Sequence, residues 1–162
     1  MNKSIIVNLE KQTLDLYESD NKLLKSYAVN TAKNGPGELF GSECTPRGQH
    51  IIRAKIGKDQ AINTVFVGRR PTGEIYEPEL AKQQLSRDWI LTRILWLSGT
   101  QPGFNRLGNV DSMRRFIYIH GSPDEIPFES PSSHGCINMH NADLMELFDL
   151  VPVYTSVFIT ED

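Results

Sequence analysis

Ser4-Ile5-Ile6-Val7-Asn8-Leu9 and Thr13-Leu14-Asp15-Leu16-Tyr17 decide the fold class. Ile5, Val7 and Leu9 alternate with Ser4, Ile6 and Asn8, and Leu14 and Leu16 alternate with Thr13, Asp15 and Tyr17. A period of two places the apolar set on one face of a strand. Ser19-Asp20-Asn21 is turn material and Leu23 to Val29 reads as a third strand. The chain is therefore expected to open as a β-meander in which each strand buries one face.

Further along, residues 33–48 are loop-like, with Gly35-Pro36-Gly37, Gly41, Pro46 and Gly48. A phosphate-cradling loop would need a strand-loop-helix order and a Gly-Lys-Ser/Thr ending, and neither is present. Gln49 to Ile56 reads as a strand, followed by Val65-Phe66-Val67 and a turn at Pro71-Thr72-Gly73. Pro78 to Ser86 suits a short helix, with Glu77 and Glu79 at the positive end of its dipole. Trp89 to Leu97 is apolar nearly throughout and reads as a buried central strand. Residues 99–112 form a loop that could wall a cleft.

Phe116 to Ile119 reads as a strand ending at His120-Gly121, and the loop 122–132 lies near the same point. Asn141 is a good helix N-cap, with Asp143 in the first turn. Leu144, Leu147, Phe148 and Val151 share one helical face, Pro152 stops the helix, and Val153 to Thr160 closes the chain as a strand. The expectation is a mainly β single domain over residues 1–162, with one or two short helices.

At 162 residues, with 39% hydrophobic and 23% charged residues, the composition is that of an ordinary globular protein. A net charge of −3 gives no electrostatic reason to expect nucleic acid. The pairs Arg69-Arg70 and Arg114-Arg115 read as solvated surface. No apolar run approaches the ~20 residues of a membrane span. The apolar run after Met1-Asn2-Lys3-Ser4 is too short for a secretory leader, so the expected location is cytoplasmic, or periplasmic if a leader has been removed. Cys44 and Cys136 are too few for a disulfide framework and are expected to be free.

Chemistry concentrates in Ser133-His134-Gly135-Cys136-Ile137-Asn138-Met139 and in Ile117-Tyr118-Ile119-His120-Gly121 upstream of it. A thiol becomes a useful nucleophile only when a base or cation favours the thiolate. His120, at a rigid strand end, could be that base, with a backbone carbonyl fixing its tautomer. Gly135 beside Cys136 could offer main-chain N–H groups to an oxyanion. Two alternatives stay open on spacing alone. His120, His134 and Cys136 could be three zinc ligands, or Cys136 could be structural with incidental histidines.

The run Ser133 to Ile137, preceded by Ile119-His120-Gly121, closely resembles the signature of the YkuD-type L,D-transpeptidases. That signature is His-Gly, a variable stretch, then Ser/Thr-His-Gly-Cys-Ile/Val-Arg-Met/Leu. The resemblance extends to Ile6-Val7-Asn8-Leu9, Leu14 to Tyr17 and Thr45-Pro46-Arg47-Gly48. It implies a YkuD-like β-sandwich of mixed strands with the cysteine in a cleft beneath a loop. Cys136 would form a thioester with a peptidoglycan stem peptide at its L-to-D junction. His120 would activate it, Gly121 would orient the ring through its carbonyl, and His134, Gly135 and Ser133 would shape the pocket and oxyanion hole. Tyr118 and Asn138 are further candidates for substrate contact. No metal or cofactor is implied. Asn138 departs from the pattern, because the family carries arginine there and the exchange removes a fixed cation. The expected activity is cytoplasmic L,D-carboxypeptidase action on a stem tetrapeptide or muropeptide, removing terminal D-alanine during wall recycling. The alternative is an L,D-transpeptidase that forms cross-links or exchanges the terminal D-amino acid.

Overall fold

The alternation at the N-terminus becomes three antiparallel strands, β1 (Ser4–Asn8), β2 (Thr13–Tyr17) and β3 (Leu23–Asn30). Ile5, Val7, Leu14 and Leu16 are buried and their alternating neighbours are not. The structure, a computed structural model, describes residues 2–162, so Met1 lies outside it. The chain continues through β4 (Gly48–Ile56), β5 (Thr64–Val67), β6 (Arg70–Ile75), α1 (Pro78–Gln83) and β7 (Ile90–Gly99). It ends with β8 (Tyr118–Gly121), β9 (Ile137–Met139), α2 (Asn141–Leu150) and β10 (Ser156–Thr160).

The strands form one mixed sheet in the order β4-β10-β1-β2-β3-β9-β8-β7-β5-β6, and β4 also pairs with β7. β1 runs parallel to β10 and β8 parallel to β9; the other pairs are antiparallel. The two faces expected of a sandwich thus belong to one continuous sheet closed through β4 and β7, from which β5 and β6 project as a hairpin. Inside it Val7, Leu14, Val29, Ile52, Leu97, Ile119, Ile137 and Ile159 belong to one apolar cluster. β7 is buried on both faces over most of its length, as its unbroken apolar run requires. α2 adds Leu144, Leu147 and Phe148 to the core. Lys55 Nζ donates to the Phe148 and Val151 carbonyls at 2.6 and 2.8 Å, closing the helix's negative end.

Local expectations change in five places. The hairpin turn is Gly68-Arg69, both left-handed at φ 56° and 64°, and Pro71-Thr72-Gly73 lies within β6. A two-residue hairpin loop selects that backbone, and proline is tolerated because β6 is an edge strand. The first helix ends at Gln83 rather than Ser86. β8 starts at Tyr118 because Phe116 is left-handed, at φ 57°. β10 starts at Ser156, after a turn in which Tyr154 N–H donates to the Ile52 carbonyl at 2.7 Å. Asn141 is the first helical residue and not the cap. His140 precedes it without a side-chain capping bond, and the Asn141 amide is used elsewhere.

Candidate active site

β8 and β9 run side by side in parallel, with Ile119 opposite Ile137 and His120 opposite Asn138. Because strand side chains alternate, Ile119 and Ile137 enter the core while Tyr118, His120, Cys136 and Asn138 face the other way. These four meet along one wall of a cavity of about 580 Å³. Ser133 and His134 line it as well, with Ser133 buried and His134 exposed. Among the described residues no three His, Cys, Asp or Glu side chains converge as a metal cluster, so His120, His134 and Cys136 do not form a ligand set.

The His120 ring is fixed by Gly121, whose carbonyl lies 2.7 Å from Nδ1. A proton on Nδ1 donated to that carbonyl leaves Nε2 as the basic nitrogen. Gly121 itself is required, since a β-carbon there would meet Asn141 Oδ1 and stand 2.7 Å from the Leu91 carbonyl. Asn141 Oδ1 accepts from Thr92 Oγ1 at 2.5 Å, and its Nδ2 donates to the Ser122 carbonyl at 2.8 Å. Thr92 sits where the β7–β8 register shifts, with φ 77°. A bulge in the central strand is thereby tied through Asn141 to the turn that holds the imidazole.

Cys136 Sγ is 3.4 Å from the Tyr118 N–H and 3.3 Å from the Phe116 carbonyl, to which the thiol donates. The left-handed backbone at Phe116 belongs to the turn that supplies this carbonyl. Burial pushes the Cys136 thiol up to about 12, against the Tyr118 N–H, which favours the thiolate. Burial also holds the His120 imidazole below its ordinary value, opposed by the Gly121 carbonyl. Burial thus favours the uncharged form of both side chains.

The turn before Cys136 is stapled on both sides. Ser133 Oγ donates to the Cys136 carbonyl at 2.6 Å and accepts from Gly135 N–H at 3.3 Å. The Gly135 amide, expected as an oxyanion donor, is therefore engaged in the resting molecule, and Gly135 is buried beneath the cavity wall. Gly135 adopts φ 130°, where an added β-carbon would stand 3.2 Å from the Cys44 carbonyl. Thr45, fully buried, donates to the Gly135 carbonyl at 2.9 Å and accepts from Ala32 N–H at 3.0 Å.

Two arginines read from sequence as solvated surface instead line the cavity. Arg115 donates to the carbonyls of Gly37, Glu38 and Cys44, at 3.2, 3.2 and 2.6 Å, and to Ser42 Oγ at 3.4 Å. Arg69 lies over Trp96 and Phe116 and reaches the Tyr118 hydroxyl. Pairing in sequence carries no sign of this, because the partners lie far away in the chain, in the loop 37–44 for Arg115 and at Trp96, Phe116 and Tyr118 for Arg69. Cys44 is free and part-exposed.

Residues 2–159 match the family profile described as the L,D-transpeptidase catalytic domain, YkuD. The chain is 30% identical over 158 residues to YqjB of Bacillus subtilis, whose name places it among the L,D-transpeptidases; the match covers 98% of this chain and 71% of that one. It is 28% identical over 157 residues to Bacillus licheniformis YkuD, covering 96% and 64% respectively. Among solved structures, an L,D-transpeptidase from Xylanimonas cellulosilytica superposes with a TM-score of 0.62 at 20% identity, over 98% of this chain and 60% of that one. An Enterococcus faecium L,D-transpeptidase variant superposes with a TM-score of 0.57 at 20% identity, over 99% and 50%. At those identities the superpositions speak for the mainly β fold, and the chain spans about half to two thirds of the solved chains.

Proposed function

The chain belongs to the L,D-transpeptidase catalytic-domain family, and we propose that it is a cysteine acyl-transfer enzyme acting on peptidoglycan stem tetrapeptides with water as acceptor. The observation that carries the acyl-transfer reading is that the adjacent parallel strands β8 and β9 bring Cys136 and His120 into the lining of one cavity, with the imidazole oriented by Gly121.

In the first half-reaction Cys136 Sγ attacks the carbonyl of the third stem residue as its proton passes to His120 Nε2. The carbon–sulfur bond forms, the bond to the terminal D-amino acid breaks, and the departing amine takes the proton from the imidazolium. Water then attacks the thioester, with His120 as base, and releases the tripeptide acid and the thiol. In this reading Ser133 and Gly135 hold the nucleophile's turn, and Tyr118 and His134 flank the bound peptide.

Asn138 supports water as the acceptor. Its Oδ1 is buried and has no partner among the described residues, on the cavity wall two residues beyond Cys136. An orphan acceptor there can accept a hydrogen bond from a water whose other proton faces His120. Hydrolysis without cross-linking suits muropeptides that have left the wall, so the cytoplasm is the proposed compartment, checked by fractionation. The second reading, an amine acceptor and thus a transpeptidase, is supported by the names of the relatives.

The deciding experiment incubates the disaccharide tetrapeptide with the protein, with and without excess D-methionine, and follows products by mass spectrometry. Tripeptide and free D-alanine, unchanged by the added amine, are expected. Exchanged tetrapeptide or cross-linked dimer would move the protein to the second reading, and turnover equal to that of Cys136→Ala would remove both.

A further inference from the structure

Three arginines line the cavity, and they differ in what their guanidinium groups are already doing. Arg87 is paired with Glu74 through two contacts of 2.7 and 3.1 Å. Arg115 has both terminal nitrogens committed to loop oxygens. Arg69 makes one hydrogen bond, to the Tyr118 hydroxyl at 3.2 Å, and has no ion pair among the described residues. Its remaining donors are uncommitted.

Arg69 is nevertheless held in place. Its guanidinium lies 4.7 Å from the centre of the Trp96 ring and 5.2 Å from that of Phe116. A guanidinium stacked on aromatic rings keeps its charge and its planar fork while losing little further freedom on binding. Two of the three residues that Arg69 touches, Tyr118 and Phe116, also supply the N–H and the carbonyl around Cys136 Sγ. The cation and the sulfur are thus mounted on one piece of structure. Arg69 also occupies the second position of the hairpin turn at φ 64°, a conformation that disfavours a long side chain. Asp88 lines the cavity too, and its charge acts on both His120 and Cys136, which disfavours an anion on that side.

We propose that Arg69 is the specificity-determining residue that receives a free carboxylate of the acyl-donor peptide, through a forked contact made beside the Cys136 thiol. The inference rests on reading the cavity as the acyl-donor site. A stem tetrapeptide offers two such carboxylates, that of its terminal residue and, where the third residue is a diamino diacid, the one on that side chain. The chemistry recognised is the same.

The test compares wild type, Arg69→Ala and Arg69→Lys in two assays that do not depend on each other. In the first, Cys136 is alkylated by anionic iodoacetate and neutral iodoacetamide, with modification at Cys136 read by peptide mass spectrometry. Wild type is expected to favour iodoacetate relative to a free thiol. Arg69→Ala should lower that preference about 10- to 100-fold, the range for a charge-assisted contact, while Arg69→Lys keeps most of it. In the second assay, KM is measured for the free tetrapeptide, its C-terminal amide, and a tetrapeptide amidated at the diamino-acid carboxylate. One amidated peptide should raise KM in wild type as much as Arg69→Ala does with the free peptide, and should cost nothing more in Arg69→Ala. That peptide identifies the carboxylate. An unchanged alkylation preference in Arg69→Ala, or a KM rise equal for all three peptides, overturns the proposal. If wild type turns over none of the peptides while the alkylation preference holds, the enzymatic reading falls and the anion anchor stands.

Discussion

Asn141 Oδ1 fills the space that a β-carbon on Gly121 would need, and the Gly121 carbonyl in turn fixes the His120 ring. Position is therefore passed from a helix start to the proposed base through a glycine that cannot be replaced without moving one of them. Gly121→Ala is expected to cost about 1–3 kcal/mol in stability from overpacking. It should also lower kcat at least about 100-fold, because the imidazole is displaced. Urea melts and tetrapeptide turnover check the two effects separately. Wild-type kcat in a folded Gly121→Ala protein would show that the carbonyl contact does not position the base.

Burial favours the uncharged form of both Cys136 and His120, raising the thiol to about 12 and lowering the imidazole. A resting thiolate–imidazolium pair would alkylate quickly and almost independently of pH across the neutral range. The neutral pair instead predicts iodoacetamide alkylation of Cys136 that is slower at pH 7 than that of a free thiol and climbs about tenfold per pH unit up to at least pH 9. A flat profile between pH 6 and 9 would sink this assignment. His120→Ala should leave the slope unchanged but cut tetrapeptide turnover about 10²- to 10⁴-fold, the usual contribution of a positioned base.

Much of this was legible along the chain. The period-two runs at Ile5 to Leu9 and Leu14 to Tyr17, and the apolar run at Trp89 to Leu97, specify strands because burial on one or both faces is written into neighbouring residues. The grouping of Cys136, His120, Tyr118 and Asn138 rests on two short segments whose strands lie side by side. Closure of the sheet through β4 and β7 was not readable, since pairing partners are chosen across the fold. The same is true of Arg69, Arg115 and Asn141. Asn141 looks like a cap because residue type and position suit one, yet its amide is drawn to Thr92 and Ser122, buried groups that nothing nearby in sequence announces.

Thr45 links the end of β3 to the turn before Cys136 through Ala32 N–H and the Gly135 carbonyl. Thr45→Val keeps the shape but removes the hydroxyl, leaving two backbone groups short of a partner at about 1–3 kcal/mol each. The expected result is a lower melting temperature and a kcat reduced about tenfold with KM little changed. Thr45→Ser, which restores the hydroxyl, should recover most of both. A loss in the serine variant with little or none in the valine variant would assign the effect to methyl packing instead.

His50 offers a stability test away from the chemistry. It is buried, with Nδ1 3.0 Å from the Gly48 carbonyl and Nε2 2.8 Å from Ser112 Oγ. Burial lowers its pKa from 6.5 to about 4, opposed by the Gly48 carbonyl and by Glu38, with Arg115 acting in the same direction as burial. Between these values the unfolded chain binds a proton that the folded chain does not, so stability rises with pH across the window and is lost as pH falls from about 6.5 toward 4. The full shift is worth roughly 3 kcal/mol. Carboxylates also titrate near the lower end, so the measurement is a difference: urea unfolding of wild type and His50→Asn at pH 7 and pH 4.5. Wild type should lose about 2 kcal/mol more than the variant over that interval. Equal losses would mean that His50 takes up its proton in the folded state, through rearrangement of the Ser112 hydroxyl into an acceptor.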